Sequence, residues 1–162
     1  MSEEILVIDI EASGLDHTSY PIEVAIGNCT DIKNWLIKPL PHWTHWDINA
    51  EKIHGISREY LQEHGTPAKE VAHQIDQFLA SRNGLLYSDA DWWDSNWLDT
   101  LFLDTGTTRN YHVLSIVDLM EEFDSDKFSN LKVHISERDS IRLHRAANDV
   151  EIISKALKEL EK

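Results

Sequence analysis

A chain of 162 residues, 41% of them apolar and six of them tryptophan, can build one hydrophobic core but is too short for two ordinary domains. Its 29 acids against 15 lysines and arginines give a formal net charge of −14, a field that repels polyanions at long range and argues against gripping nucleic acid by overall basicity. One cysteine, Cys29, excludes an internal disulfide, no apolar run approaches the ~20 residues of a membrane helix, and Ser2-Glu3-Glu4 is unlike a secretory leader, so a cytoplasmic protein without membrane contact is expected.

The first strand starts near Glu4. An apolar run, Ile5-Leu6-Val7-Ile8, leads into Asp9-Ile10-Glu11, and Ser13-Gly14 closes it with a turn. Side chains alternate along a strand, so Asp9 and Glu11 point to one side, ~7 Å apart along the backbone. Two acids held this way on a buried strand repel unless a cation sits between them. A hard divalent ion is the natural occupant. An edge strand with a solvated acidic face would show the same spacing, and the motif alone does not separate the two.

Asp16 to Tyr20 read as a loop, Pro21–Gly27 as a second strand and Trp35–Ile37 as a third. Gly27-Asn28 and Asp31 between them suggest hairpin connections, hence antiparallel pairing. Lys38 to Asn49 carries Pro39, Pro41, Trp43 and Trp46 and reads as an irregular loop. Ser57 caps a short helix through Gln62 that Gly65 ends. Thr66 caps a helix over Pro67–Ser81, with apolar residues at 68, 71, 72, 75, 78 and 79. Leu85–Tyr87 is a short buried strand. Asp91–Leu103 is helical, with Trp93, Trp97, Leu98 and Leu101 on one side. Val113–Val117 suits strand or helix equally. Arg145–Leu160 is an amphipathic helix burying Val150, Ile153, Ala156, Leu157 and Leu160. This order predicts one α/β domain with a mixed sheet.

Two further stretches collect chemistry. In His144-Arg145-Ala146-Ala147-Asn148-Asp149 the outer pair are five steps apart, ~140° round a helix. If both serve one site, Asp149 lies on the helix and His144 on the turn before it, a fixed ligand beside a mobile base. A surface histidine and an acid favoured by the helix dipole are the alternative. Ser88 to Leu98 holds Asp89, Asp91 and Asp94 among tryptophans, where an α/β sheet presents its strand ends. A solvated helix start would look alike.

Asp9-Ile10-Glu11-x-Ser13-Gly14-Leu15, an Asp near a strand–helix junction and His144-x-Ala146-x-x-Asp149 together resemble the DEDDh family of 3′–5′ exonucleases. That family includes bacterial proofreading subunits, oligoribonucleases and tRNA-end trimmers, and the likeness runs over residues 5–157. It implies a ribonuclease-H-like fold, a mixed five-stranded sheet flanked by helices, with residues 1–162 as a single 3′–5′ exonuclease domain. It implies hydrolysis of single-stranded RNA or DNA from the 3′ end to nucleoside 5′-monophosphates. Asp9, Glu11, Asp94 and Asp149 would hold two Mg²⁺ or Mn²⁺ ions, ~3.5–4 Å apart in such centres. His144, with a free-solution pKa near ~6.5, would take the proton of the attacking water. The second motif departs from the usual His-Asn-x-x-Phe-Asp: Asp94, followed by Trp97-Leu98, fits best, and Asp91 and Asp89 are alternatives. Ser13, Gly14 and Leu15, with His54 in Ile53-His54-Gly55-Ile56-Ser57, would line the substrate entrance. Leu15 would wedge against the terminal base, or simply pack.

Four clustered acids need two divalent ions to cancel locally, which eases the conflict with the overall charge. Lys127, Lys132, Arg138, Arg142 and Arg145 form the densest basic run and could meet phosphates behind the scissile bond, or balance Glu137 and Asp139. Trp43 and Trp46 could stack on unpaired bases or anchor their loop. Short single-stranded substrates are expected, with a homodimer or helper protein as possible company. A catalytically silent, exonuclease-like binding module, or an acidic metal-binding protein without nuclease activity, are the competing readings.

Overall fold

The structure is a computed structural model and describes residues 4–82 and 84–162. Its sheet grows outward from β1 (Glu4–Ala12), whose alternating side chains feed two different cores. β2 (Pro21–Gly27) and β3 (Ile32–Lys38) meander beside it, antiparallel in turn, while β5 (Gly84–Ser88) pairs parallel to β1 on its other side. β6 (Val113–Ser115) adds parallel to β5. With β4 (Thr66–Pro67) at the far edge, the order is β4-β3-β2-β1-β5-β6, a mixed sheet.

Helices cover both faces. Leu6, Ile8 and Ile10 of β1 pack with Ile22, Val24 and Ile26 against α3 (Ala68–Ala80) and α4 (Asp91–Asp104), through Val71, Ile75, Leu98 and Leu101. Val7 and Ala25 face the other way, onto Val150, Ile153, Ala156 and Leu157 of α6 (Ala146–Leu160). Each Val, Leu or Ile among them, fully buried, contributes about 1.5–3 kcal/mol. Because alternation puts residues 7, 9 and 11 on one face, Asp9 and Glu11 emerge on the α6 side.

The sheet has six strands where five were expected. The extra one, β4, is only Thr66–Pro67, paired parallel with Ile37 and Lys38 at the edge. Pro67 therefore precedes the helix instead of opening it, with ψ at 134°. At a sheet edge its missing N–H leaves no ladder bond unmade. The span around Val113 is strand first, then a 3₁₀ turn over Ile116–Leu119 capped by Ser115.

Two helices were not foreseen. α1 (Ile48–His54) closes the expected loop, its N-terminus held by Asp47, whose carboxylate accepts from the Asn49 N–H. α2 (Arg58–His64) follows, capped by Ser57 as anticipated. α5 (Ser125–Asp139) packs on α6, but it buries only Phe128 and Ile135, too thin an apolar stripe to announce a helix. The loop tryptophans anchor the loop. Trp43 is buried, stacks on Tyr20 with ring centroids 5.1 Å apart, and donates to Asp104 at 2.7 Å. Trp46 donates to Glu51 at 2.6 Å. Among the described residues, no helix is long and apolar enough to cross a membrane.

Candidate active site

The site is assembled by one ion pair on a buried carboxylate. Glu23 stands opposite Glu11 in the β1–β2 register and is 1% exposed. Its carboxylate accepts from Arg145 at 3.1 and 2.9 Å and from the Ala146 N–H at 2.9 Å. Burial alone would raise Glu23; these donors, with Asn34, outweigh it and hold the carboxyl below its usual range. The first turn of α6 is thus fastened to β2, which brings Asp149 over the end of β1.

There, oxygens of Asp9, Glu11 and Asp149 lie within 4.8 Å of one another. Asp149 accepts from the His144 backbone N–H at 3.0 and 3.2 Å. That bond is possible because His144 adopts a left-handed backbone, φ 66°, which turns the chain into the helix and leaves the histidine exposed. Asp94 is 2% exposed and accepts from the Ser88 hydroxyl at 2.6 Å.

The acids strain against one another. Withdrawal from water, then the charges of Asp94, Asp149 and Glu11, push Asp9 well above the ordinary carboxylate range. Burial, Asp149 and Glu23 push Glu11 up to about 8. Burial also raises Asp94, against its bond to Ser88, and raises Asp149 against the His144 N–H. One oxygen of Asp9, Oδ2, is buried with no hydrogen-bond partner. An orphaned acceptor amid converging carboxylates suits a hard divalent cation, which would satisfy the oxygen and offset the repulsion together.

Two hollows flank Asp9 and Glu11. One, about 270 Å³, is shared with His144, Asp149, Asp89 and Lys132. The other, about 330 Å³, is lined by Gly14, Leu15, His54, Trp93 and Asp94. Leu15 is 72% exposed at its rim. His54 is buried, accepts from the Ile56 N–H through Nδ1 at 3.0 Å, and leaves Nε2 without a partner. Gly14 is required by close packing: a Cβ there would stand 2.6 Å from the His45 ring.

Ser13 does not join them. It is wholly buried, and its hydroxyl accepts from the Tyr20 N–H at 3.1 Å and lies 3.2 Å from His45 Nδ1, bracing the turn. Asp89 sits at the rim of the smaller hollow, paired with Lys132 at 2.7 Å, whereas Asp91 opens α4 and lines neither hollow. Of the basic run, Lys132, Arg138 and Arg145 are spent on Asp89, on Asp139 with Glu159, and on Glu23. Glu23 itself went unnoticed as a functional residue. The signal was present, since an acid inside a strand of seven buried residues must have a partner.

No protein-family model and no curated protein sequence matches the chain. Solved structures do. Escherichia coli exonuclease I in complex with a dT13 oligonucleotide superposes with a TM-score of 0.75 at 14% identity, over 99% of this chain and 41% of that one. The same enzyme in complex with a dA16 oligonucleotide gives 0.69 at 15% identity, over 98% and 41%. The zinc-ion-bound form of the E. coli exonuclease I–single-stranded DNA complex gives 0.69 at 15% identity, over 99% and 41%. This chain therefore has their fold and spans about two fifths of their length.

Proposed function

We propose that this protein is a divalent-metal-dependent 3′–5′ exonuclease of the DEDDh type, acting on single-stranded nucleic acid. The observation that carries this reading is the convergence of Asp9, Glu11 and Asp149 around a buried, partnerless Asp9 oxygen. The fold shared with an exonuclease seen bound to single-stranded oligonucleotides supports it.

Asp9, Glu11 and Asp149 would hold one Mg²⁺ or Mn²⁺ ion, with Asp94 and Asp9 serving a second. Bound there, the ions supply Lewis-acid charge stabilisation for the phosphodiester and lower the pKa of water. The protein's own groups do the rest. His144, exposed on a loop tied by its backbone to Asp149, takes the proton of the attacking water. Leu15, Trp93 and His54 enclose the terminal nucleotide in the larger hollow. His54 is held in place there by the Ile56 N–H on its Nδ1. The silent-module reading rests on the departure of the second motif and on the net charge of −14. Asp94, buried beside Asp9 and fixed by Ser88, supports the active one.

The test is a 5′-labelled single-stranded 20-mer incubated with Mg²⁺ or Mn²⁺. A ladder shortening from the 3′ end, with released mononucleotides, is expected from wild-type protein and not from Asp149→Asn. Intact substrate with wild-type protein, or equal cutting by both, refutes the proposal.

A further inference from the structure

An acidic protein that trims a strand must hold the part of it that remains. α1 separates the cleft from another hollow. Asn49, Ala50 and Ile53 line the cleft with Asp9 and Glu11, whereas Ile48, Glu51 and Lys52 line a hollow of about 450 Å³ completed by Ser57, Tyr60 and Arg145. Helical spacing separates these sets: residues 48 and 52 lie ~40° apart, and 49 and 53 lie ~100–140° round from 48.

At the C-terminal end of α1 stands Arg142, two residues before His144. Its guanidinium covers Gly55, where a Cβ would be 2.7 Å from Nη2 and the backbone holds φ 73°. Its hydrogen bond to the Ile53 carbonyl is long, 3.4 Å. Among the described residues neither Arg142 nor Lys52 makes an ion pair, although carboxylates outnumber cations almost two to one. Tyr60 is 48% exposed at the hollow's edge. Glu51, the carboxylate on its wall, is engaged by the Trp46 indole N–H. Lys52 on the hollow's wall, Arg142 against the Gly55 that borders it, neither of them ion-paired, and an exposed ring, across α1 from the cleft, match a phosphate and a base.

We infer that this hollow holds a nucleotide of the retained strand, upstream of the one being removed. The strand rounds the end of α1 past Gly55, Arg142 and Lys52 take its phosphates, and Tyr60 stacks on its base. The inference rests on the exonuclease reading for its direction, but its test does not need cleavage.

Binding of a 5′-fluorescent ten-nucleotide oligothymidylate is followed by anisotropy with Ca²⁺, without Mg²⁺ or Mn²⁺, across a KCl series. Each phosphate neutralised on a single strand contributes about 0.7 to the slope of log K against log salt. Arg142→Ala and Lys52→Ala are expected to weaken binding several-fold and to flatten that slope by about 0.7 each, with Arg142→Lys and Lys52→Arg restoring it. A purely structural role would leave the slope alone. Tyr60→Ala should weaken binding roughly tenfold at every salt concentration, and Tyr60→Phe should bind as wild type does. Wild-type affinity and slope in Arg142→Ala and Lys52→Ala, or no binding by wild-type protein, overturns the inference. Cleavage with Mn²⁺ is read separately. Salt-dependent binding without cleavage would remove the exonuclease and keep the site, and cleavage with unaltered binding in the variants would do the opposite.

Discussion

In a chelator, raising the pH should loosen this protein, and a divalent cation should tighten it again. Burial and the neighbouring Asp149 and Glu23 carboxylates raise Glu11 from an ordinary 4.5 to about 8. A carboxyl raised by folding gives its full stability below the unfolded value and loses it as pH climbs through the folded one. Between those limits the folded protein keeps a proton that the unfolded chain has released, and each pH unit costs about 1.4 kcal/mol. Going from pH 5 to 7 therefore removes about 2–3 kcal/mol through Glu11. Asp9, Asp94 and Asp149 are raised too and act in the same direction. Asp139, held low chiefly by Arg138, contributes its opposite dependence only at more acidic pH, and buried His54, held below its ordinary value by burial, opposes inside the window as one group against four. At about 2–4 °C per kcal/mol for a domain of this size, the melting temperature should fall by about 5–10 °C. A divalent ion at a hundredfold over its Kd returns about 2.7 kcal/mol. Scanning fluorimetry in EDTA at pH 5, 6, 7 and 8, then with Mn²⁺, measures both changes. Glu11→Gln should flatten the pH dependence. A melting temperature that stays level or rises from pH 5 to 7 would refute the reasoning, as would a Mn²⁺ increment no larger at pH 8 than at pH 5.

The remaining expectations concern how the site is held and used. Arg145→Ala leaves the buried Glu23 carboxylate with only the Ala146 N–H and Asn34 and should cost about 1.5–3 kcal/mol in urea denaturation; a loss under about 0.5 kcal/mol would mean α6 is fastened by packing alone. His144→Ala should lower kcat by about 10²–10⁴ while calorimetry finds Mn²⁺ bound as before, because the bond to Asp149 comes from the backbone. Ser13→Ala should lower stability by about 1 kcal/mol by orphaning the Tyr20 N–H, with the cleavage rate of the folded fraction maintained; selective loss of cleavage would return Ser13 to the substrate.

What could be read before the structure was whatever the chain carries locally. Apolar residues flanking Asp9 and Glu11 mark a strand with both acids on one face, and the spacing of His144 and Asp149 separates loop from helix. β4 left no such trace, because two residues have no periodicity and its place depends on Ile37 and Lys38 already being in a sheet. α5 stayed hidden because Phe128 and Ile135 are its only buried residues. The basic run shows the deeper limit. Lys132, Arg142 and Arg145 are alike as cations in the sequence, yet two are consumed by Asp89 and Glu23, far away in the chain. Which charge is free is a property of the fold. Glu23 shows the same from the other side: its need for a partner was legible, and Arg145 as that partner was not.

The central claim is that the ends of the chain meet to hold a divalent ion. Diffraction from a Mn²⁺-soaked crystal at the manganese absorption edge tests it directly. An anomalous peak is expected about 2.0–2.3 Å from carboxylate oxygens of Asp9, Glu11 and Asp149, lost in Asp149→Ala. Manganese bound elsewhere, with these three acids bare, would contradict it.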